Sequence, residues 1–370
     1  MIWIVLLTAA AAFAITALSL PLIIRIATRV GFVDRPGPRK SHGVPMPYGG
    51  GLGVGLGFLL TLGAGLAACW LMTRGTTLGL PADVVAYAPG AVSKAPDLFL
   101  LAGGSLVILF LGTADDLWKL SPRLKLIVET LVASAFVIIG RERLSLFLEG
   151  SWTSDVVGGA ITVLWIVGVT NAFNLLDHMD GLTGGVTFLA CAAFALIAAV
   201  TGQWFVAAAL AALAGASAGF LLFNFPPARV FIGDGGSLFV GFALSTLTVT
   251  FTFYDSATLR RPFAWAIPLV VLAVPLYDMA SVILTRLRHR RPMFEGDRNH
   301  LAHRLVALGM TPRGAALAVY AMTAMTGLAA ILLLQVDALG AGIILAQLAL
   351  TFGIIGLLDR TGQLHDHGPK

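Results

Sequence analysis

From "MIWIVLLTAAAAFAITALSLPLII" onward, the chain returns repeatedly to apolar runs of a length that crosses a bilayer as an α-helix, about 20 residues. Such runs lie near residues 2–24, 49–73, 98–114, 124–139, 157–176, 183–201, 204–223, 237–254, 264–284, 313–334 and 340–358, which predicts eleven spans. Only 12% of the 370 residues are charged, against about 25% in a soluble domain. The expected fold is therefore all-α, a polytopic membrane protein forming a single domain over residues 1–370. The first run has no basic residue before it and is longer than a signal-peptide core, so it reads as a retained helix. Cys69 and Cys191 both lie inside apolar runs, which leaves no disulfide framework and no Cys-based metal motif. The Gly-rich second run, "GGGLGVGLGFLLTLGAGL", suits close helix packing. No internal repeat is visible.

The connections between runs alternate between two sides. One set (25–48, 115–123 with Lys125 just beyond, 177–182, 224–236, 285–313 and 359–370) holds 18 of the 24 Lys and Arg residues. The other holds Arg74, Lys94, Arg141, Arg143, Arg260 and Arg261. Basic loops remain cytoplasmic, so the N-terminus is expected outside and the C-terminus inside. Every unusual polar cluster falls in the basic set: "DRPGPRKSHGVPMPYGGG" (34–51), "GTADDLWKLSPRLK" (112–125), "VTNAFNLLDHMDGLTGG" (169–185), "FNFPPARVFIGDGGS" (223–237) and "FEGDRNHLAHRL" (294–305). Ordinary solvated loops would scatter such residues over both sides. Their convergence points to an active site at the cytoplasmic membrane surface.

Each cluster has a chemical and a plain reading. Asp115 and Asp116 are adjacent carboxylates that need a cation, a proton or water. Lys119, Arg123 and Lys125 follow as partners, although a charged helix end would look similar. "GDGGS" flanks Asp234 with glycines, which let a backbone approach a ligand, and ends in Ser237, an N-cap for the run starting there. It also fits a simple turn, and it is no Walker loop because no Lys follows. Asn171, Asn174, Asp177 and Asp180 recur every third residue, and each such step turns a helix by about 60°. They share one site only if the helix breaks near His178, and Gly181 marks such a stop; otherwise they form a polar cap. His300 and His303 share a helical face and suit phosphate or solvent. They offer no third zinc ligand and no H-E-x-x-H pattern. Oxygen ligands without thiolates, with basic residues and Gly-rich turns, suit Mg²⁺ and a phosphate-rich substrate.

Taken in order over roughly residues 25–310, these motifs resemble the polyprenyl-phosphate N-acetylhexosamine-1-phosphate transferases. "RKSHGVPMP" with Arg39, Lys40 and His42 resembles the first loop of the N-acetylglucosamine-type branch, and "DDLWKLSP" its aspartate pair. "NAFNLLDHMDGL" resembles an Asn-x-x-Asn-x-x-Asp-Gly-x-Asp-Gly-Leu motif, and Asn224 precedes Asp234 as in that family. The resemblance implies transfer of a sugar-1-phosphate from a UDP-N-acetylhexosamine to polyprenyl (undecaprenyl) phosphate with release of UMP. That is a first membrane step of cell-envelope polysaccharide synthesis, such as lipopolysaccharide, O-antigen or teichoic acid. It implies Mg²⁺, with Mn²⁺ as an alternative, on Asp234 and Asp116, and catalytic roles for Asp115 and Asp116. Lys40, His42, Lys125, Asn174, Asp177, Asp180, Asn224, His300 and His303 would bind substrate. The implied setting is a bacterial plasma (inner) membrane with the site on the cytoplasmic face, no nucleic-acid partner, and room for a homodimer. Two positions depart from the family pattern: His178 stands where Gly is usual, and Ala302 where a His is usual. The competing readings are the muramoyl-pentapeptide branch and, in a different class, a transporter of lipid phosphate or nucleotide sugar.

Overall fold

The computed structural model describes residues 1–36, 43–76, 79–140, 152–250, 263–290, 292 and 300–365. The helices are α1 (Ile2–Val30), α2 (Gly50–Thr73), α3 (Ala82–Val85), α4 (Ala88–Ser93), α5 (Ala95–Trp118), α6 (Pro122–Gly140) and α7 (Trp152–Leu176). There follow α8 (Leu182–Val200), α9 (Trp204–Asn224), α10 (Gly233–Thr250), α11 (Ile267–Val271), α12 (Ala273–Arg288), α13 (Leu301–Ala307), α14 (Pro312–Leu332) and α15 (Ala338–His365). Two short strands, β1 (Val33–Asp34) and β2 (Met46–Pro47), pair antiparallel with Val33 opposite Pro47. The protein is an all-α polytopic membrane protein.

Every expected run is helical over its described residues. Among the described residues, eight helices are long and apolar enough to cross a membrane by themselves: α1, α2, α5, α7, α8, α9, α14 and α15. A ninth span is available if Ala264–Val271 and Ala273–Arg288, bent by 66°, are taken together. The remaining two run-derived helices, α6 and α10, fall outside this set. α6 carries Arg123, Lys125 and Glu129, and α10 opens on an aspartate and is rich in Gly, Ser and Thr. α10 has little apolar surface to offer lipid because residues 235–249 are all buried inside the protein.

α10 is the hub against which α2, α5 and α7 pack. Its opening glycines explain how the backbones come so close. A Cβ at Gly51 of α2 would sit 2.3 Å from Gly236 Cα, and one at Gly112 of α5 would sit 2.4 Å from the Asp234 backbone. The glycines of "GDGGS" therefore admit neighbouring helices rather than lying open to a ligand, which corrects the sequence reading. The turn after β2 is stitched to the same place. Phe231 N donates to Pro47 O, Gly50 N to Phe231 O and Gly51 N to Ile232 O, all at 3.0 Å. The ends of α5, α7 and α9 and the starts of α2, α6 and α10 are thereby gathered at one end of the bundle.

This packing predicts a sharp contrast between two glycines of α2. Gly51→Ala should lower the thermal unfolding midpoint in detergent, at a cost of about 1–3 kcal/mol for overpacking. Gly63, where an added Cβ meets nothing within 4 Å, should accept Ala with no loss. Equal midpoints for the two variants would contradict the contact.

Candidate active site

α5 runs as an apolar helix until Asp115 and Asp116, then stops at Lys119, whose φ of 49° is left-handed. Asp115 Oδ1 ties the stop by accepting from Leu120 N at 2.6 Å. Pro122 starts α6, which brings Lys125 back over the pair. Lys125 Nζ lies 2.6 Å from Asp115 Oδ2 and 2.8 Å from Asp234 Oδ2, so one ammonium bridges carboxylates from two distant helices. Asp234 Oδ1 accepts from Asn174 Nδ2 at 3.1 Å, and the same amide donates to Ser237 Oγ at 3.0 Å.

Asp116 serves a different purpose from its neighbour. Its carboxylate accepts from Asp234 N (2.9 Å) and Gly235 N (3.2 Å), capping the N-terminus of α10 from another helix. A negative group at that end of a helix is favoured by the free N–H groups and the helix dipole. Ser237, expected as the N-cap, instead lies one turn inside α10 and donates to Gly233 O. The helix begins four residues earlier than its apolar run because a partner helix satisfies its first amides.

The expected break after α7 is present, and it divides the four spaced polar residues. α7 ends at Leu176, and the turn 177–181 leads into α8, with Gly181 at φ 82°. Asn171 faces away from Asp234 and donates to the Glu129 carboxylate and to Val167 O. Asn174 joins the Asp234 cluster. Asp177 accepts from Thr183 Oγ1 at 3.1 Å, and burial, reinforced by the charge of Asp234, pushes its carboxyl well above the usual carboxylate range. Asp180 accepts from Ala228 N at 2.9 Å. Asn224 places both ends of its amide on backbone, accepting from Gly181 N (2.8 Å) and donating to Val230 O (2.9 Å). Tyr320 of α14 donates to Gly181 O at 2.7 Å. Asp180 and Asn224 thus fix the turn to the loop that precedes α10.

His300 is buried beside Asp278 of α12, with Nδ1 2.8 Å from Oδ2, while Leu301 N donates to Oδ1 at 2.6 Å. His178 stacks on His300 with ring centroids 4.1 Å apart, and the His303 ring is 4.8 Å from that of His178. The sequence offered no third ligand beside His300 and His303. The structure gathers a different trio, for His178, Asp278 and His300 present ligand atoms within 4.8 Å of one another. Lys40 and His42 lie outside the described residues. Asp278 and Glu129 escaped the sequence reading, yet each is a carboxylate inside an expected span, where charge is costly and functional by default.

A membrane bundle that gathers three carboxylates, a bridging lysine and ordered amides at one end of its helices has the makings of an enzyme for a charged substrate. The family described as glycosyl transferase family 4 matches over residues 98–252, which includes Asp115, Asp116, Asn174 and Asp234. The chain is 32% identical over 316 residues to a protein of Bacillus subtilis (strain 168) named a probable undecaprenyl-phosphate N-acetylglucosaminyl 1-phosphate transferase. That alignment covers 85% of this chain and 80% of the relative. It is 29% identical over 311 residues to the undecaprenyl-phosphate alpha-N-acetylglucosaminyl 1-phosphate transferase of Escherichia coli (strain K12), covering 82% and 77%. It is 31% identical over 321 residues to the decaprenyl-phosphate N-acetylglucosaminephosphotransferase of Mycobacterium tuberculosis (strain ATCC 25618 / H37Rv), covering 80% and 74%. The chain belongs to the polyprenyl-phosphate N-acetylhexosamine-1-phosphate transferase family. It is a membrane-embedded sugar-phosphate transferase, and the transporter reading falls with that finding.

The double engagement of Asn224 makes a stability prediction. Asn224→Ala should leave a buried N–H and a buried C=O unpaired, at about 1–3 kcal/mol for each group. The unfolding midpoint in detergent should fall accordingly. An unchanged midpoint would mean that Asn224 is not what holds the turn to the loop.

Proposed function

We propose that the protein transfers N-acetylglucosamine-1-phosphate from UDP-N-acetylglucosamine to undecaprenyl phosphate, or a close polyprenyl phosphate, and releases UMP. The observation that carries this reading is the cluster in which Lys125 joins Asp115 to Asp234. It is a site of concentrated, adjustable charge at the end of membrane helices, where a lipid phosphate and a water-soluble nucleotide can meet. An oxygen of the lipid phosphate attacks the sugar-bearing phosphorus. The bond from that phosphorus to the bridging oxygen breaks, and UMP leaves with the bridging oxygen. Phosphoryl transfer of this kind needs mainly positioning and charge neutralisation.

Three carboxylates with no thiolate nearby are a hard-oxygen donor set, which fits Mg²⁺. Asp234, Asp116 and Asp115 are the residues that would hold it, and the ion when bound would neutralise pyrophosphate charge. Lys125, freed from one carboxylate, would offer its ammonium to a phosphate oxygen. Asn174 orients the Asp234 carboxylate, and Asp116 fixes the Asp234 backbone. A base at Asp115 is not required, because a phosphate monoester is already largely anionic at pH 7. We place the site on the cytoplasmic face of a bacterial inner membrane, on the ground that the gathered ends carry the basic loops. The pathway served is a first lipid-linked step of cell-envelope polysaccharide synthesis.

The test is to incubate the purified protein with Mg²⁺, undecaprenyl phosphate and either UDP-N-acetylglucosamine or UDP-N-acetylmuramoyl-pentapeptide, and to measure UMP and lipid product. Turnover is expected with the first donor or a close epimer, and none with the second. The turn 177–181 and the loop 225–232 are short and are tied to each other by hydrogen bonds, which favours the smaller donor. Faster transfer from the pentapeptide donor would overturn the donor assignment.

Asp234→Asn should keep the fold, since it removes one of three neighbouring negative charges while retaining the shape. Activity should fall below a tenth of wild type, a barrier increase above roughly 1.4 kcal/mol. Activity above that level in a folded variant would remove Asp234 from the centre of the site.

A further inference from the structure

A second cluster stands apart from the aspartates, on the other side of the turn that follows α7. His178 Nδ1 lies 3.0 Å from Leu175 O, and His300 Nδ1 lies 2.8 Å from Asp278 Oδ2. A carbonyl can only accept, and an ionised carboxylate likewise. The hydrogen of a neutral His178 imidazole therefore sits on Nδ1, and its Nε2 carries a lone pair, whereas an ion at His300 would take the place of the hydrogen between Nδ1 and Asp278 Oδ2. Histidines that ligate metals are held as His178 is, with one ring nitrogen donating to a carbonyl or carboxylate and the other left as ligand. His178 Nε2 is buried and has no hydrogen-bond partner among the described residues. Nothing else in the transfer reaction described above uses it.

We infer that His178, His300 and Asp278 form a binding site for one borderline divalent cation of the Zn²⁺ class, separate from the aspartate cluster. The three residues offer ligand atoms within 4.8 Å of one another, and the histidine and carboxylate of one pair are already 2.8 Å apart. Metal–ligand bonds of about 2.0–2.1 Å in a tetrahedron hold ligand atoms about 3.4 Å apart. Binding would turn the His178 ring out of its stack on His300 to close the remaining distance. His303, with its ring 4.8 Å from that of His178, is one candidate for a fourth position, and water is another.

Charge and ligand type select the occupant. The buried Nε2 of His178, with the ring hydrogen on Nδ1, offers a lone pair to a cation and no hydrogen to a phosphate. Two imidazole nitrogens and one carboxylate suit Zn²⁺, Co²⁺ or Ni²⁺ far better than Mg²⁺, which seeks oxygen. The bound ion would join the turn bearing Asp177 and Asp180 to α12 and α13. The inference does not rest on the proposed donor or acceptor.

The test uses the full-length protein in detergent, without a polyhistidine tag, stripped of metal with a chelator and titrated with Co²⁺. One equivalent should bind and give visible d–d absorption, and Zn²⁺ but not excess Mg²⁺ should abolish the signal. Zn²⁺ should also raise the unfolding midpoint. His178→Ala and His178→Gln are read in parallel, so that one folded variant suffices, with size-exclusion profile and metal-free midpoint as the fold check. In a folded variant, Co²⁺ affinity should drop at least about tenfold and the Zn²⁺-dependent rise in midpoint should vanish. No d–d absorption from the wild type, or binding unchanged in a folded His178 variant, would overturn the site.

Discussion

One ammonium group holds the chemical end of this protein together. Asp115 and Asp234 lie on helices far apart in sequence, and Asp116 caps the start of α10 beside them. Like charges about 4 Å apart in partly buried surroundings repel by roughly 4 kcal/mol at an effective dielectric of 20. Three carboxylates would therefore force either the helix ends apart or a proton on. Lys125 eases that conflict because Pro122 reverses the chain just after α5 and places its side chain between Asp115 and Asp234. The same charge arrangement that lets the helices close is the one a phosphate-bearing substrate can exchange with.

That arrangement needs backbones closer than ordinary side chains permit. α10 carries the acidic site at its first turn and is buried along residues 235–249. Its amides are capped by Asp116 from α5, and its neighbours reach it through Gly51 and Gly112. Packing and electrostatics are coupled here. Asp116 meets the α10 amides only because Gly112, one turn earlier on α5, lets the two helices touch. A helix so enclosed can be built from Gly, Ser and Thr, since its polar atoms meet protein rather than lipid, and its stability does not depend on apolar length.

This coupling marks what the sequence could and could not reveal. Long apolar runs announce helices whatever their surroundings, so all eleven segments were legible, and the convergence of polar motifs on one set of ends was legible from alternation and charge. The enclosure of α10 by its neighbours was not, because burial by protein and burial by lipid leave the same apolar signature. The break after Leu176 was one of two readings that three-residue steps left open, with Gly181 as its mark, and even so the four groups do not share one site. Its consequences were not legible: Asn171 turns to Glu129, whereas Asp180 and Asn224 hold backbone. Ser237 misled because a cap from another helix leaves no local sequence trace. Asp278 was readable in principle as a carboxylate within an apolar run, but its partner His300 is 22 residues away and only the fold brings them together.

The turn between α7 and α8 separates two kinds of chemistry with a single peptide step. Asp177 belongs with the oxygen-rich acidic end, where the charge of Asp234 is felt, while His178 turns to stack on His300. A strand-like or helical continuation would not allow this division so cleanly. A helix would set the two side chains about 100° apart on one surface, with the His near lipid or solvent. The turn instead carries His178 inward, where it is nearly surrounded by protein and its Nδ1–H is taken by Leu175 O. Hard oxygen donors and neutral imidazoles prefer different cations, so the two clusters need no wall between them to remain chemically distinct. The residue that makes the second cluster possible is the one at which the chain departs from the glycine of its family pattern. An imidazole there exchanges backbone freedom for a fixed contact between the turn and α13. That exchange is tolerated because the left-handed step the turn requires is taken at Gly181, three residues later.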